Sequence, residues 1–152
     1  MIRDDAIETS ETSLTIRRTF DAPRARVFRA FVDPSDIEAW QSIGNLSVEV
    51  HELTPEPGGS LSISHMPGED RFVFEGEFLE VVKNERLVHT FRVVEGPITD
   101  ANASRITVEF RDVTGGSLVV FTEDQVDPAM MADTVATWDR MLDKLATVVS
   151  ES

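Results

Sequence analysis

A chain of 152 residues with 41% hydrophobic content fits one domain with a sizeable core, and its lack of cysteine excludes disulfides and thiolate metal sites. A formal charge of −14, with two lysines and twelve arginines scattered along the chain, excludes a surface built to hold nucleic-acid phosphate or an anionic membrane. The arginine bias fits a salt-adapted or GC-rich source, although ordinary acidic solubility explains the charge more simply.

Residues 1–12 are acidic and polar, and are expected to form a flexible tail ahead of one domain over residues 13–150. They have neither the basic flank nor the apolar run of a secretory signal, so a reducing cytoplasm is the expected compartment. No run approaches the roughly 20 apolar residues of a membrane-spanning helix. In Leu14–Phe20, Leu14, Ile16 and Phe20 alternate with Thr15, Arg17 and Thr19, a strand whose apolar face Arg18 interrupts. Pro23 suits the first turn of a helix that carries Val27, Phe28 and Phe31 on one face. Asp33-Pro34 restarts the pattern as cap and first helical residue, Ile37 and Trp40 face inward, and Gly44 ends the segment.

Six further strands follow by alternation and turn chemistry. Leu46, Val48 and Val50 oppose Ser47, Glu49 and His51; after Pro57-Gly58-Gly59, Leu61, Ile63 and His65 share a face. Phe72, Phe74, Gly76 and Phe78 oppose Glu75 and Glu77, and beyond a Lys83-Asn84 turn come Leu87, His89, Phe91 and Val93. Gly96 to Ala103 reads as a loop; Ile106, Val108 and Phe110 then alternate with polar residues, Gly115-Gly116 makes a hairpin turn, and Ser117–Phe121 is the last strand. Asp127-Pro128 repeats the cap-and-proline device ahead of one long helix striped by Met131, Val135, Trp138, Leu142, Leu145 and Val149. The pattern predicts an α+β helix-grip arrangement: a curved antiparallel sheet of about seven strands, two short helices, and a long C-terminal helix over the concave face, the one apolar surface large enough for its stripe.

The chain resembles the SRPBCC, or START-like, superfamily, which has this helix-grip fold. Within it the chain is similar to the branch related to the C-terminal domain of the activator of the heat-shock-protein-90 ATPase. The likeness rests on Arg18–Phe20, Ala22-Pro23, Val27-Phe28, Asp33-Pro34, Trp40, Pro57-Gly58-Gly59, Gly76 with Glu80-Val81, Glu85-Arg86-Leu87, Thr137-Trp138, Leu142 and Leu145, in order from Ser13 to Val149. Gln41-Ser42 stands where the family often shows a second tryptophan, so the mouth of the cavity differs. The resemblance implies a cavity between long helix and sheet that takes an apolar ligand; it implies no reaction, cofactor or shared catalytic set.

On this reading the chain is a binding module for a small apolar or amphipathic molecule, in a pocket of roughly a few hundred Å3. Trp40, Ile63, Phe72, Phe74, Phe91, Phe110, Trp138 and Leu142 line it, and His65 and His89 orient a polar group. Core packing is the simpler reading of each residue, and in this fold wall and core coincide. A chaperone-linked interaction protein is the first alternative; a cyclase- or dehydratase-like enzyme using His65, His89 or Glu123 is the second. Glu123 continues the parity of Val119 and Phe121, yet its charge favours an outward position. Glu75 and Glu77 are expected in water, paired with arginines such as Arg92. His51 is expected to be solvated. The three histidines lie on separate strands without ligand spacing, so no metal is expected. No serine has a histidine at strand-neighbour spacing and no nucleophile elbow appears, so no catalytic residue is assigned. Pairing of two copies through a sheet edge or the exposed helix face is left open.

Overall fold

The computed structural model describes residues 5–150. Its strands are β1 (Ala6–Thr9), β2 (Leu14–Phe20), β3 (Leu46–Leu53), β4 (Ser60–Pro67), β5 (Phe72–Val82), β6 (Arg86–Glu95), β7 (Ser104–Val113) and β8 (Gly116–Asp124). They form one curved antiparallel sheet in the order β1-β2-β8-β7-β6-β5-β4-β3. Helices α1 (Arg24–Val32) and α2 (Pro34–Gln41) bridge β2 and β3, and a 3-10 turn over Pro128–Met130 leads into α3 (Met131–Ser150). The architecture is the expected α+β helix grip, with eight strands in place of about seven.

The eighth strand comes from the segment expected to be a tail. Residues 1–4 lie outside the described residues, but Ala6–Thr9 pairs with β2 from Ala6↔Arg17 to Thr9↔Leu14. All four side chains of β1 are exposed, so no hydrophobic alternation marks it. Backbone pairing holds the strand, helped by Asp5 Oδ1, which accepts from Thr19 N at 2.8 Å and Thr19 Oγ1 at 3.0 Å.

Local chemistry sets the helix starts. Asp33 Oδ1 accepts from Asp36 N at 3.1 Å, with Pro34 opening α2. Asp127 Oδ1 accepts from Ala129 N at 3.0 Å at the start of the 3-10 turn. Pro23 sits one place earlier than expected: it is the cap residue of α1, and its carbonyl accepts from Val27 N at 3.2 Å. In α3 the stripe Trp138, Met141, Leu142, Leu145 and Val149 is buried, while Met131 and Val135 pack at its partly open end. Arg18, the residue that interrupts the apolar face of β2, reaches α3 and is bound by Asp139 and, at 2.7 Å, by Asp143.

The sheet bends where its registers slip. β5 and β6 shift between Val73 and Phe74 and again between Phe78 and Glu80, and β3 and β4 shift at His51. Such bulges add local twist and help a sheet curl. Between the two β5 shifts, a Cβ on Gly76 would stand 2.0 Å from the Thr90 carbonyl oxygen, so only glycine permits this approach.

Candidate functional site

Aromatic rings fill the junction between helices and sheet. Trp40 Nε1 donates to Ala30 O at 2.8 Å and ties α2 to α1. Trp138 Nε1 donates to Glu123 Oε1 at 2.8 Å and ties α3 to β8. The two indoles are 6.4 Å apart, with Phe31 at 5.0 Å from Trp40, and Phe121 and Phe91 at 4.6 and 6.3 Å from Trp138. Phe74 stacks on Phe91 and meets His65, both at 4.6 Å.

Among these rings lies a void of about 30 Å3. That is room for roughly two water molecules at about 10–15 Å3 each, not the few hundred Å3 expected of a preformed pocket. Bulky side chains such as Phe78, Phe121 and the two tryptophans are buried around it and take up most of the junction.

Of the residues expected at the cavity, Trp40, Ile63, His89, Phe91 and Trp138 border the void. His65, Phe72, Phe74, Phe110 and Leu142 do not. His65 and Phe74 stand behind it, stacked into the wall. Phe110 turns to α1 and packs edge-on against Phe28 and Phe31 at 5.3 and 5.4 Å. Leu142 is wholly buried in the α3 stripe. Phe72 is half-buried beside Gly96, because the slip at Val73/Phe74 takes it out of phase with Phe74 and buries Val73 instead. The wall also contains Phe31, Ile37, Gln41, Leu61, Phe78, Leu87, Ile106, Val108 and Phe121. Most of these share an inward parity that the sequence displays; Gln41 has no such signal.

Polar groups in this region are few and specific. Gln41 is 5% exposed, and its Oε1 lies 3.2 Å from His65 Nε2; an amide oxygen only accepts, so the ring donates. Burial lowers the His65 pKa to about 4, so the ring is neutral near pH 7. Burial also lowers the pKa of His89, against a smaller opposing effect of the Thr90 carbonyl. His89 Nδ1 is 2.8 Å from Thr90 O and donates to it. Glu123 overturns its expected position: it is 7% exposed and points inward. Burial raises its pKa, the hydrogen bonds from Ser104 and Trp138 offset part of this, and the Asp100 and Asp124 charges add to it. Charge argued for water, but Ser104 Oγ at 2.6 Å and the Trp138 indole each donate to one oxygen and satisfy the carboxylate inside. With both oxygens engaged, Glu123 is an anchor for α3 rather than a free acid or base.

On the opposite face, His51 is exposed as expected, and its Nε2 also lies 2.6 Å from Ser64 Oγ, with Glu49 Oε1 3.8 Å from Nδ1. The register shifts at His51, between Val50 and Glu52. Ser64 has no exposed surface, so no substrate carbonyl reaches its hydroxyl. Glu75 and Arg92 face each other across β5 and β6, but among the described residues no ion pair joins them. No three His, Asp or Glu side chains among the described residues stand together as a metal site, and no described helix is long and apolar enough to cross a membrane.

The family described as "Activator of Hsp90 ATPase homolog 1-like protein" matches residues 21–150. The chain belongs to this family. The span runs from the end of β2 to the end of α3, so every element bordering the void falls inside the Activator of Hsp90 ATPase homolog 1-like match. No curated protein shows significant similarity to the chain. Among solved structures, a Chromobacterium violaceum protein superposes with a TM-score of 0.86 at 22% identity, over 92% of this chain and 98% of that one. A Mycobacterium smegmatis protein gives 0.85 at 16% identity over 95% of both chains. A Rhizobium leguminosarum protein gives 0.76 at 24% identity over the whole of both. At these identities the likeness establishes the fold alone.

Proposed function

We propose that this protein is a non-catalytic, cytoplasmic binding module that holds one small apolar or amphipathic molecule between α3 and the concave sheet. The observation that carries this reading is the junction between Trp40 and Trp138, where helix meets sheet around a void instead of closing on it. Trp40, Ile63, Phe91 and Trp138 would touch the guest, with Phe74 and His65 stiffening the wall behind them. Binding sites for small molecules usually occupy roughly 300–1,000 Å3, so on this reading the 30 Å3 void has to widen to admit the guest. Entry requires the rings to repack or α3 to lift, against the Trp138–Glu123 hydrogen bond and the Arg18 ion pairs.

Native mass spectra of freshly purified protein, repeated after denaturation, test this directly. A discrete extra mass that disappears on denaturation is the expected result. A bare polypeptide mass, with no binding of any apolar probe in titrations, would count against the module. The family's description supports a second reading, contact with a chaperone ATPase. Stimulation of that ATPase by the purified chain would favour it over the first.

A further inference from the structure

Two side chains at the void have hydrogen-bonding capacity that no described residue uses. Gln41 gives its Oε1 to His65, and its amide nitrogen has no partner among the described residues. His89 commits its Nδ1 proton to Thr90 O, so its Nε2 carries a bare lone pair, also without a partner among the described residues. Both residues border the same void. Gln41 and His89 are thus the polar residues on otherwise apolar walls whose uncommitted nitrogens can supply a donor and an acceptor there. Among the described residues no Lys, Arg, Asp or Glu borders it, and the buried Glu123 has both oxygens occupied.

Resting on the binding reading above, we infer that the guest is uncharged and that its polar end is a hydroxyl or a carboxamide, accepting from Gln41 Nε2 and donating to His89 Nε2. A carboxylate or phosphate would lose its water with no cation to meet it, inside a protein of net charge −14. An ammonium would face the Gln41 amide hydrogens without a carboxylate, leaving only the rings to attract it. A plain hydrocarbon would leave both polar side chains without partners. A group that donates and accepts satisfies both.

The test uses four probes with one apolar body: propylbenzene, 4-propylphenol, 4-propylbenzoate and 4-propylbenzylammonium. Each is titrated into the intact protein near pH 7 and followed through its amide chemical shifts. Opening the junction costs the same for all four, so the ratios report the polar end. The phenol is expected to bind about tenfold tighter than propylbenzene, and both ions more weakly than propylbenzene. In Gln41→Met, which keeps the volume and removes the donor, the phenol's advantage is expected to fall to about threefold or less. Benzoate or ammonium binding as tightly as the phenol would overturn the inference, as would propylbenzene matching the phenol; either leaves the binding module standing. Full phenol preference in a folded Gln41→Met variant would remove Gln41 from the contact and overturn the assignment. If none of the four binds and the native mass is bare, the module itself fails and the inference falls with it.

Discussion

His65 enters the fold as a neutral ring and can be charged only at a cost. Its pKa falls from 6.5 to about 4, so its share of stability is complete above pH 6.5 and is lost as pH falls toward 4, about 3 kcal/mol in all. Burial of His89 acts in the same direction. Urea midpoints measured near pH 7 and again near pH 5 should therefore drop sharply in the native chain and less in His65→Phe. Glu123 acts with the opposite sign. Burial raises its pKa, so the folded state is penalised as pH rises from the ordinary carboxylate range through the raised value, and the penalty is relieved on acidification. Glu123→Gln should consequently gain stability relative to the native protein near pH 7, and this gain should shrink near pH 4 in the same urea measurements. A gain that does not vary with pH would mean that the ionised carboxylate is fully supported by Ser104 and Trp138.

Between elements, the joint that matters most is the hold of the sheet on α3. Arg18 spans β2 and α3 through Asp139 and Asp143, with the guanidinium largely buried and both carboxylates partly open to water. Arg18→Met, which keeps the aliphatic stem, should lower stability by about 1 kcal/mol, and the loss should diminish in about 1 M NaCl, where the screening length is roughly 3 Å. Gly76→Ala should be worse, about 2–4 kcal/mol or failure to fold, because its Cβ would press on the Thr90 carbonyl at 2.0 Å. Solubility and circular dichroism of the expressed variant would show which. Much at this scale is legible in the residues: Asp33-Pro34 and Asp127-Pro128 announce their helices, and the α3 stripe announces the face it buries. What stays hidden is whatever backbone geometry decides alone. β1 has no buried side chain to betray it. The slip at Val73/Phe74 moves Phe72 out of the Phe74 row, and no residue pattern marks it or the slip at His51. At the site, parity points to Ile63, His89 and Phe91. A glutamine on a helix reads as solvated, however, so Gln41 emerges only once α2 is docked. The size of the void depends on rotamers, which no periodicity encodes.

For the molecule as a whole, a net charge of −14 on 152 residues means self-repulsion that the compact state must overcome. Raising NaCl from about 0.1 M to about 1 M should raise the melting temperature, since screening relieves more repulsion than the few ion pairs lose. A fall would mean that pairs such as Arg18–Asp143 and Arg86–Glu109 outweigh it. The two outer strands also fit a sheet that remains open. β1 is four residues long and exposed, and β3 is bulged at His51 with Glu49 and Glu52 in water. Short, kinked and charged edges of this kind discourage indiscriminate strand pairing.

Trp40 and Trp138 give the helix–sheet junction an optical signature of its own. The chain has two tryptophans and no tyrosine, and both indoles border the same void. Emission excited in the indole band therefore comes only from the helix–sheet junction, with no tyrosine background. At a centroid separation of 6.4 Å and a ring tilt of 42°, the two chromophores are close enough to couple as an exciton pair. On the proposed binding reading, a circular-dichroism couplet from that pair, and the quenching of Trp138 by the carboxylate at its Nε1, would both vanish when α3 lifts to admit a guest. Stopped-flow mixing with a guest could thus time the opening of the junction in the unlabelled, unmodified protein.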